Sequence, residues 1–445
     1  MRLPLNLAMS LALGVALSAC GPAAQVSKSE SRPEVGIGFG RAPAAVAPGG
    51  GGSSMARDFM DLTFAMENGR ELSVFSRFEG PVTVALTGEV PPTAPRDLGA
   101  LIGRLRAEAG IDISPANGGE ATITVEFVKR ADLRRLAPTA ACFVVPNVTS
   151  VAEYRRSRGS KTVDWAQVSQ RTRAAIFIPS DTSPQEVRDC LHEELAQALG
   201  PLNDLYRLPN SIFNDDNFHS VLTGFDMAIL RATYAPTLAS GMTQAEVAAR
   251  LPSLLGGTGV LGAPTPIQWV QAIETALGRT GAASSRRQAA DRALDIARQQ
   301  GWQDSRLAFS HFAVARLWAG TDPDRALTEF ANAAALYARL PGADVHLAHI
   351  DMQLAAMALA GGLPDQSRRL ADRAIPVVRQ HENAALLATL MLIKAEALDR
   401  LGDADAAAAL RLDSQVWARY GFGTDSVVKA RMRDIASVAG DADNG

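Results

Sequence analysis

Net charge is almost absent from this chain: 44 basic side chains stand against 47 acidic ones, a formal charge of −3. A surface so near neutrality gives no electrostatic footprint for nucleic acid, so none is expected as a partner. Lysine is scarce beside arginine, which we read as codon usage without chemical meaning. Cysteine is scarcer still. There are three, and Cys20 closes an N-terminal leader, so Cys142 and Cys190 are the pair left for the folded chain. What remains is globular in character: 47% hydrophobic and 20% charged residues, over a length sufficient for two domains or more.

The leader "MRLPLNLAMSLALGVALSAC" has one basic residue, an apolar run and small residues before a cysteine. Residues 1–19 read as a secretory signal peptide, too short for a comfortable membrane span. Its end, Leu17-Ser18-Ala19-Cys20, resembles a bacterial lipobox, which would make Cys20 the lipidated first residue of an exported, periplasm-facing lipoprotein. The alternative is an ordinary cleaved signal. Acyl chains on Cys20 would hold the chain on a membrane at about 0.8 kcal/mol per buried methylene. Export into an oxidising compartment favours a disulfide between Cys142 and Cys190, with two separate buried thiols as the alternative. Residues 20–54 ("RAPAAVAPGGGGSS") lack apolar periodicity and read as a flexible tether.

Residues 55–242 read as a mixed α/β domain. "PVTVAL" is a strand, "APRDLGALIGRLRAEAG" an amphipathic helix stopped by Gly110, and "ATITVEFV" and "AAIFIP" are strands. "SPQEVRDCLHEELAQALG" opens with Ser183 as N-cap, Pro184 at the first helical position and Glu186 at the third. A second helix, "VLTGFDMAILRATY", follows. Strand, helix, strand, strand, helix is also the order in which a zincin fold reaches its metal-binding helix. Residues 243–283, with many Gly, Pro and Thr residues between short helical pieces, read as the connection between domains. Residues 284–436 are alanine-rich and helical, and they repeat at 40 to 41 residues, with Ala326, Ser367 and Ala407 in equivalent places. Ala395, Leu398, Gly402 and Ala407 fall at tetratricopeptide spacing, so a tetratricopeptide-like stack is expected. The alternative is a non-repeating bundle. Residues 437–445 read as a disordered tail. The expected fold class is therefore an α+β zincin-like domain followed by an all-α tetratricopeptide-like repeat domain.

The stretch "LHEELAQALGPLND" bears most directly on function. If His192 and Glu193 are taken as the H-E of H-E-x-x-H, the second histidine falls on Ala196, and one helix ligand is lost. If Glu193 takes the first ligand place, then Glu194 falls at the general-base place and Gln197 at the second ligand. Gly200 matches the turn glycine and Asn203 the third ligand. A metzincin-like helix would then keep its geometry while Glu, Gln and Asn replace imidazole. The plain reading is a solvated face of an amphipathic helix.

"CLHEELAQALGPLND", then "SIFNDD" and "TGFDMAILRATYAPTLASGM", resembles an uncharacterised family of bacterial exported proteins, the domain-of-unknown-function family 2927, over about residues 55–242. The resemblance implies a domain and no reaction.

Two main readings follow. In the first, the chain is a lipid-anchored binding or scaffold protein without a metal cofactor, and its repeats hold an envelope protein. In the second it is a metal-dependent, peptidase-like hydrolase with Glu194 as general base and ligands drawn from Glu193, Asn203, His192, His219 or Asp215. A metal-free acid/base enzyme using Glu193 or Glu194 ranks behind both. Gln197, Asn203, Asp215, Asp216 and His192 are the candidate binding residues. Asn214, Asp215 and Asp216 read either as a cation site or as a turn bonded to its own backbone. A Cys20→Ala chain is expected to lose metabolic palmitate labelling and to move from the detergent phase to the aqueous phase on partitioning.

Overall fold

The computed structural model describes residues 52–118, 120–214, 218–255, 265–278 and 281–440. The leader, Cys20, the tether up to residue 51, Asp215, Asp216 and residues 441–445 lie outside the described residues.

The first half is built on a five-stranded sheet in the order β2-β1-β3-β5-β4. The strands are β1 (Val82–Gly88), β2 (Ile113–Pro115), β3 (Ile123–Val128), β4 (Phe143–Pro146) and β5 (Ala174–Pro179). All pairings are parallel except β4 with β5. Alternation along β5 divides its side chains between two layers. Ala174, Ile176 and Ile178 join the larger core, while Ala175 and Phe177 join a smaller one with Leu133, Leu136, Val145 and Val151. Burial on both faces is why "AAIFIP" is unbroken apolar sequence.

Eight helices surround this sheet: α1 (Gly52–Thr63), α2 (Ala94–Ala109), α3 (Arg130–Leu136), α4 (Val151–Ser157), α5 (Pro184–Leu199), α6 (Gly224–Thr233), α7 (Gln244–Ala248) and α8 (Leu251–Leu255). The larger core holds apolar residues of α2, α5 and α6, and the smaller one those of α3 and α4. Cys142 and Cys190 are joined, with Sγ atoms 2.06 Å apart, which fastens the start of β4 to the middle of α5. Closing a 48-residue separation in this way removes about 4 kcal/mol of chain entropy from the unfolded state.

The second half is helical: α9 (Ile267–Leu277), α10 (Ala283–Gln299), α11 (Ser305–Trp318), α12 (Pro323–Tyr337), α13 (Asp344–Ala360), α14 (Pro364–Gln380), α15 (Ala384–Arg400), α16 (Ala404–Phe422) and α17 (Asp425–Gly440). α11 with α12, α13 with α14 and α15 with α16 pack as hairpins. The three repeated stretches are the second helices of these hairpins. Ala326, Ser367 and Ala407 are fully buried there, because a larger side chain would hold neighbouring helices apart. Among the described residues no helix is long and apolar enough to cross a membrane.

The stretch 243–283 is more structured than its composition suggests. Val247 and Leu251, on α7 and α8, belong to the first core, while Trp269 and Ile273 of α9 belong to the second. α17 likewise runs into the expected tail, as far as Gly440. The two halves also share a polar seam. Gln185 of α5 donates to Asn383 Oδ1 (3.1 Å) and accepts from Ala385 N (2.8 Å). Arg188 pairs with Glu382 (3.1 Å), and Tyr420 donates to Asp97 (3.0 Å). Gly421 lies so close to Ala385 that a Cβ would come within 2.5 Å of its backbone.

Arg171, 4% exposed, sets the other end of α5. Its guanidinium donates to the carbonyls of Gln197 (2.6 Å), Ala198 (2.7 Å) and Gly200 (2.5 Å), which the end of a helix leaves without their usual α-helical partners. Burial lowers its pKa to about 10, so it stays charged at neutral pH. Replacing Arg171 by Leu strands the Ala198 and Gly200 carbonyls and leaves Gln197 O only the Gly200 N–H at 3.3 Å, and the expected loss is about 3 kcal/mol in urea unfolding. A loss under about 1 kcal/mol would show that the capping contributes little.

Candidate functional site

α5 starts as its sequence dictates, with Ser183 Oγ accepting from Glu186 N (3.2 Å) and Pro184 in the first turn. Glu186 itself turns away to Arg130 and Thr182, so the N-cap is one-sided. Twelve of the 16 residues are buried, and the face opposite Leu191, Leu195 and Ala198 is buried too. The polar residues of that face are therefore not a solvated stripe.

Glu194 is 4% exposed, and its Oε2 has no hydrogen-bond partner among the described residues. Burial, reinforced by the neighbouring Glu193 and Glu67 carboxylates, holds its proton well above the usual carboxylate range. Gln197, equally buried, donates Nε2–H to Glu67 Oε1 (3.3 Å). Glu193, half-buried, and the exposed Glu67 complete the group. Glu67 sits on the turn after α1, where Ala65 bridges to Glu71. Nothing local in "MENGR" marks it as a partner of residues far along the chain.

Asn203 does not join this group. Its Nδ2 donates to the Asp61 carbonyl of α1 (2.9 Å), and its Oδ1 accepts from Asp204 N (3.1 Å). Gly200 does allow the chain to double back after α5. A Cβ there would meet the Thr233 methyl at 2.9 Å, so the requirement is one of space. His192 also faces elsewhere: its Nδ1 accepts from Leu222 N (3.1 Å), which places the ring proton on Nε2. Burial, with Arg104 and Arg188 nearby, pushes its pKa well down.

The described part of "SIFNDD" is bonded as a turn. Ser211 Oγ donates to Asp226 Oδ1 (2.6 Å) and Ile212 N to Asp226 Oδ2 (3.1 Å), while Asn214 donates to the Leu208 carbonyl. Asp226 also closes a capping box with Thr223 at the start of α6. Burial raises its pKa to about 6 against these hydrogen bonds. His219 Nε2 lies 2.9 Å from the Pro209 carbonyl, to which it donates. Among the described residues no three His, Cys, Asp or Glu side chains are placed to hold a metal ion.

The convergent group is thus Glu67, Glu193, Glu194 and Gln197: a carboxylic acid kept neutral beside carboxylates and an amide. Its folded pKa is raised above the unfolded value of 4.5. Its contribution to stability is therefore full below pH 4.5 and is lost as pH rises toward the folded pKa. Glu194→Gln keeps the neutral shape without that loss. The variant is expected to be more stable than the parent at pH 7.5. Its stability should also fall less steeply above pH 4.5, by up to about 1.4 kcal/mol per pH unit. Urea titrations at several pH values check both.

No curated protein and no solved structure matches this chain. The half that carries the acid group is a domain of unknown function, matched over residues 52–253 by the family model described as "Protein of unknown function (DUF2927)".

Proposed function

We propose that this protein is a cell-envelope lipoprotein that binds and scaffolds other proteins. In this reading Cys20 carries the lipid and the glycine-rich segment lifts the folded part off the membrane. The α/β half is a zincin-like domain that has given up its metal, and the helical half is a tetratricopeptide-like stack that holds a protein partner. The observation that carries the reading is how the zincin-like positions are used. Gln197 is bonded to Glu67, Asn203 to the backbone of α1 and His192 to Leu222 N, so they hold the fold together. Carboxylate and amide groups in those places also suit zinc poorly. The Cys142–Cys190 bridge fits an oxidising compartment.

The binding side of the proposal rests on a cleft of about 320 Å³ along α10, α11 and α12, lined by Arg298, Gln303, Leu307, His311, Leu336 and Arg339 among others. Two guanidinium groups beside two leucines suit an acidic segment that also carries apolar side chains. The hydrolase reading has one observation in its favour, the unpartnered Glu194 Oε2 in a buried position. Against it, a general base must be ionised, and burial with two adjacent carboxylates raises this group's pKa and disfavours the ionised form.

The test uses the full chain. Metal content should be substoichiometric, peptide cleavage absent, and in-cell cross-links to partner proteins lost when Arg298 and Arg339 are both changed to Glu. Stoichiometric zinc, or cleavage that a chelator abolishes, would overturn the proposal. Cross-links unchanged by the double charge reversal would remove the cleft from it.

A further inference from the structure

Four of the six histidines meet at the seam between the two halves. Phe218, from the chain between α5 and α6, enters the helical core against Phe309 and Phe312, at ring distances of 6.2 and 5.1 Å. His346 and His349, one turn apart on α13, each lie 4.4 Å from the Phe218 ring, the first edge-on and the second stacked. His219 is 5.9 Å from His346 and 5.8 Å from His381. On the other side of the same short segment, Leu222 N donates to His192 Nδ1. The segment is thus held between imidazoles of α5 and of α13.

We propose that the docking of the two halves is acid-labile, because the seam closes over imidazoles that it can hold only while they are uncharged. A proton on His192 Nδ1 removes the lone pair that accepts the Leu222 hydrogen bond. A proton on His346 or His349 places a cation in a buried aromatic cluster. The groups facing these rings do little to help. Arg104 and Arg188 face His192. His381 and Asp344 face His346, but the Asp344 carboxylate is 3.0 Å from His381 Nε2 and engaged there. Arg316 and the other histidines face His349, whose Nε2 is buried without a hydrogen-bond partner among the described residues. Burial pushes His346 and His349 down to about 3, against about 6.5 in water.

The sign follows directly. Folded pKa values below the free value give stability that is complete above pH 6.5 and lost as pH falls from there toward 3. Carboxylates at the seam work the other way, since burial raises Asp97 and Glu382. Asp189 on α5, whose Oδ1 is buried without a hydrogen-bond partner among the described residues, is raised by burial to about 8 from 3.8, so acid favours the closed seam at these positions. Between pH 7 and pH 5 His346 and His349 each weaken the closed seam about 25-fold, His192 acts in the same direction, and Asp189 strengthens it just under a hundredfold. His346, His349 and Asp189 together leave a weakening of about sevenfold.

Hydrogen exchange on the full chain, expressed as protection factors corrected for the pH dependence of free amides, reads this at the Leu222 amide and along α13. Protection should fall about sevenfold from pH 7 to pH 5 in the parent protein. It should not fall in the double variant His346→Phe, His349→Phe. If that variant fails to fold, Asp189→Asn decides the matter, since removing the opposing carboxylate should deepen the fall by close to a further hundredfold. Parent protection that stays within about threefold on acidification would overturn the proposal. So would a fall that survives whole in the histidine variant, or one that Asp189→Asn leaves unchanged.

Discussion

The constraint on which the rest of this structure depends is that α5 is buried on every side while its sequence is half polar. A helix in that position cannot leave its hydrogen-bonding groups to water, so each must be answered from within the protein. Arg171 answers the carbonyls at its C-terminal end, Asn383 and Ala385 answer Gln185, Glu382 answers Arg188, and Leu222 answers His192. The partners come from the segment before β5, from the chain leading into α6, and from the helical half. α5 is therefore the place where the two halves become one molecule.

The polar positions of α5 and of the turn after it carry groups that bond to the protein itself. Gln197 and Asn203 fasten α5 and the following turn to α1 and the chain after it, and Gly200 leaves room for the Thr233 methyl where that turn packs. Glu194 is the exception. It is buried beside two other carboxylates, and together these hold its pKa well above the usual carboxylate range.

Around this helix, burial has opposite effects on acids and imidazoles. It raises Asp189, Glu194 and Asp226 and lowers His192, His346 and His349. Both shifts have one cause, the cost of a charge away from water. They pull stability in opposite directions as pH changes, so the seam is tuned by the balance between them.

The sequence alone was enough for what depends on local periodicity and capping. It determined the strands β1, β3 and β5, the start of α5 at Ser183, the presence of α6 and the small residues at 326, 367 and 407 that mark the helical hairpins, and it favoured the cysteine pair. The strands β2 and β4 escaped it, because three or four residues at a sheet edge carry no period to read. The bounds of α7 to α9 escaped it, because short helical pieces among Gly, Pro and Thr carry too few turns to place their ends. What the polar face of α5 looks toward was decided only in three dimensions. Helical periodicity tells which residues share a face but not what covers that face. Here it is covered by Glu67 from a distant turn and, beside it, by the histidine-lined seam, both of which exist only once the chain has closed on itself.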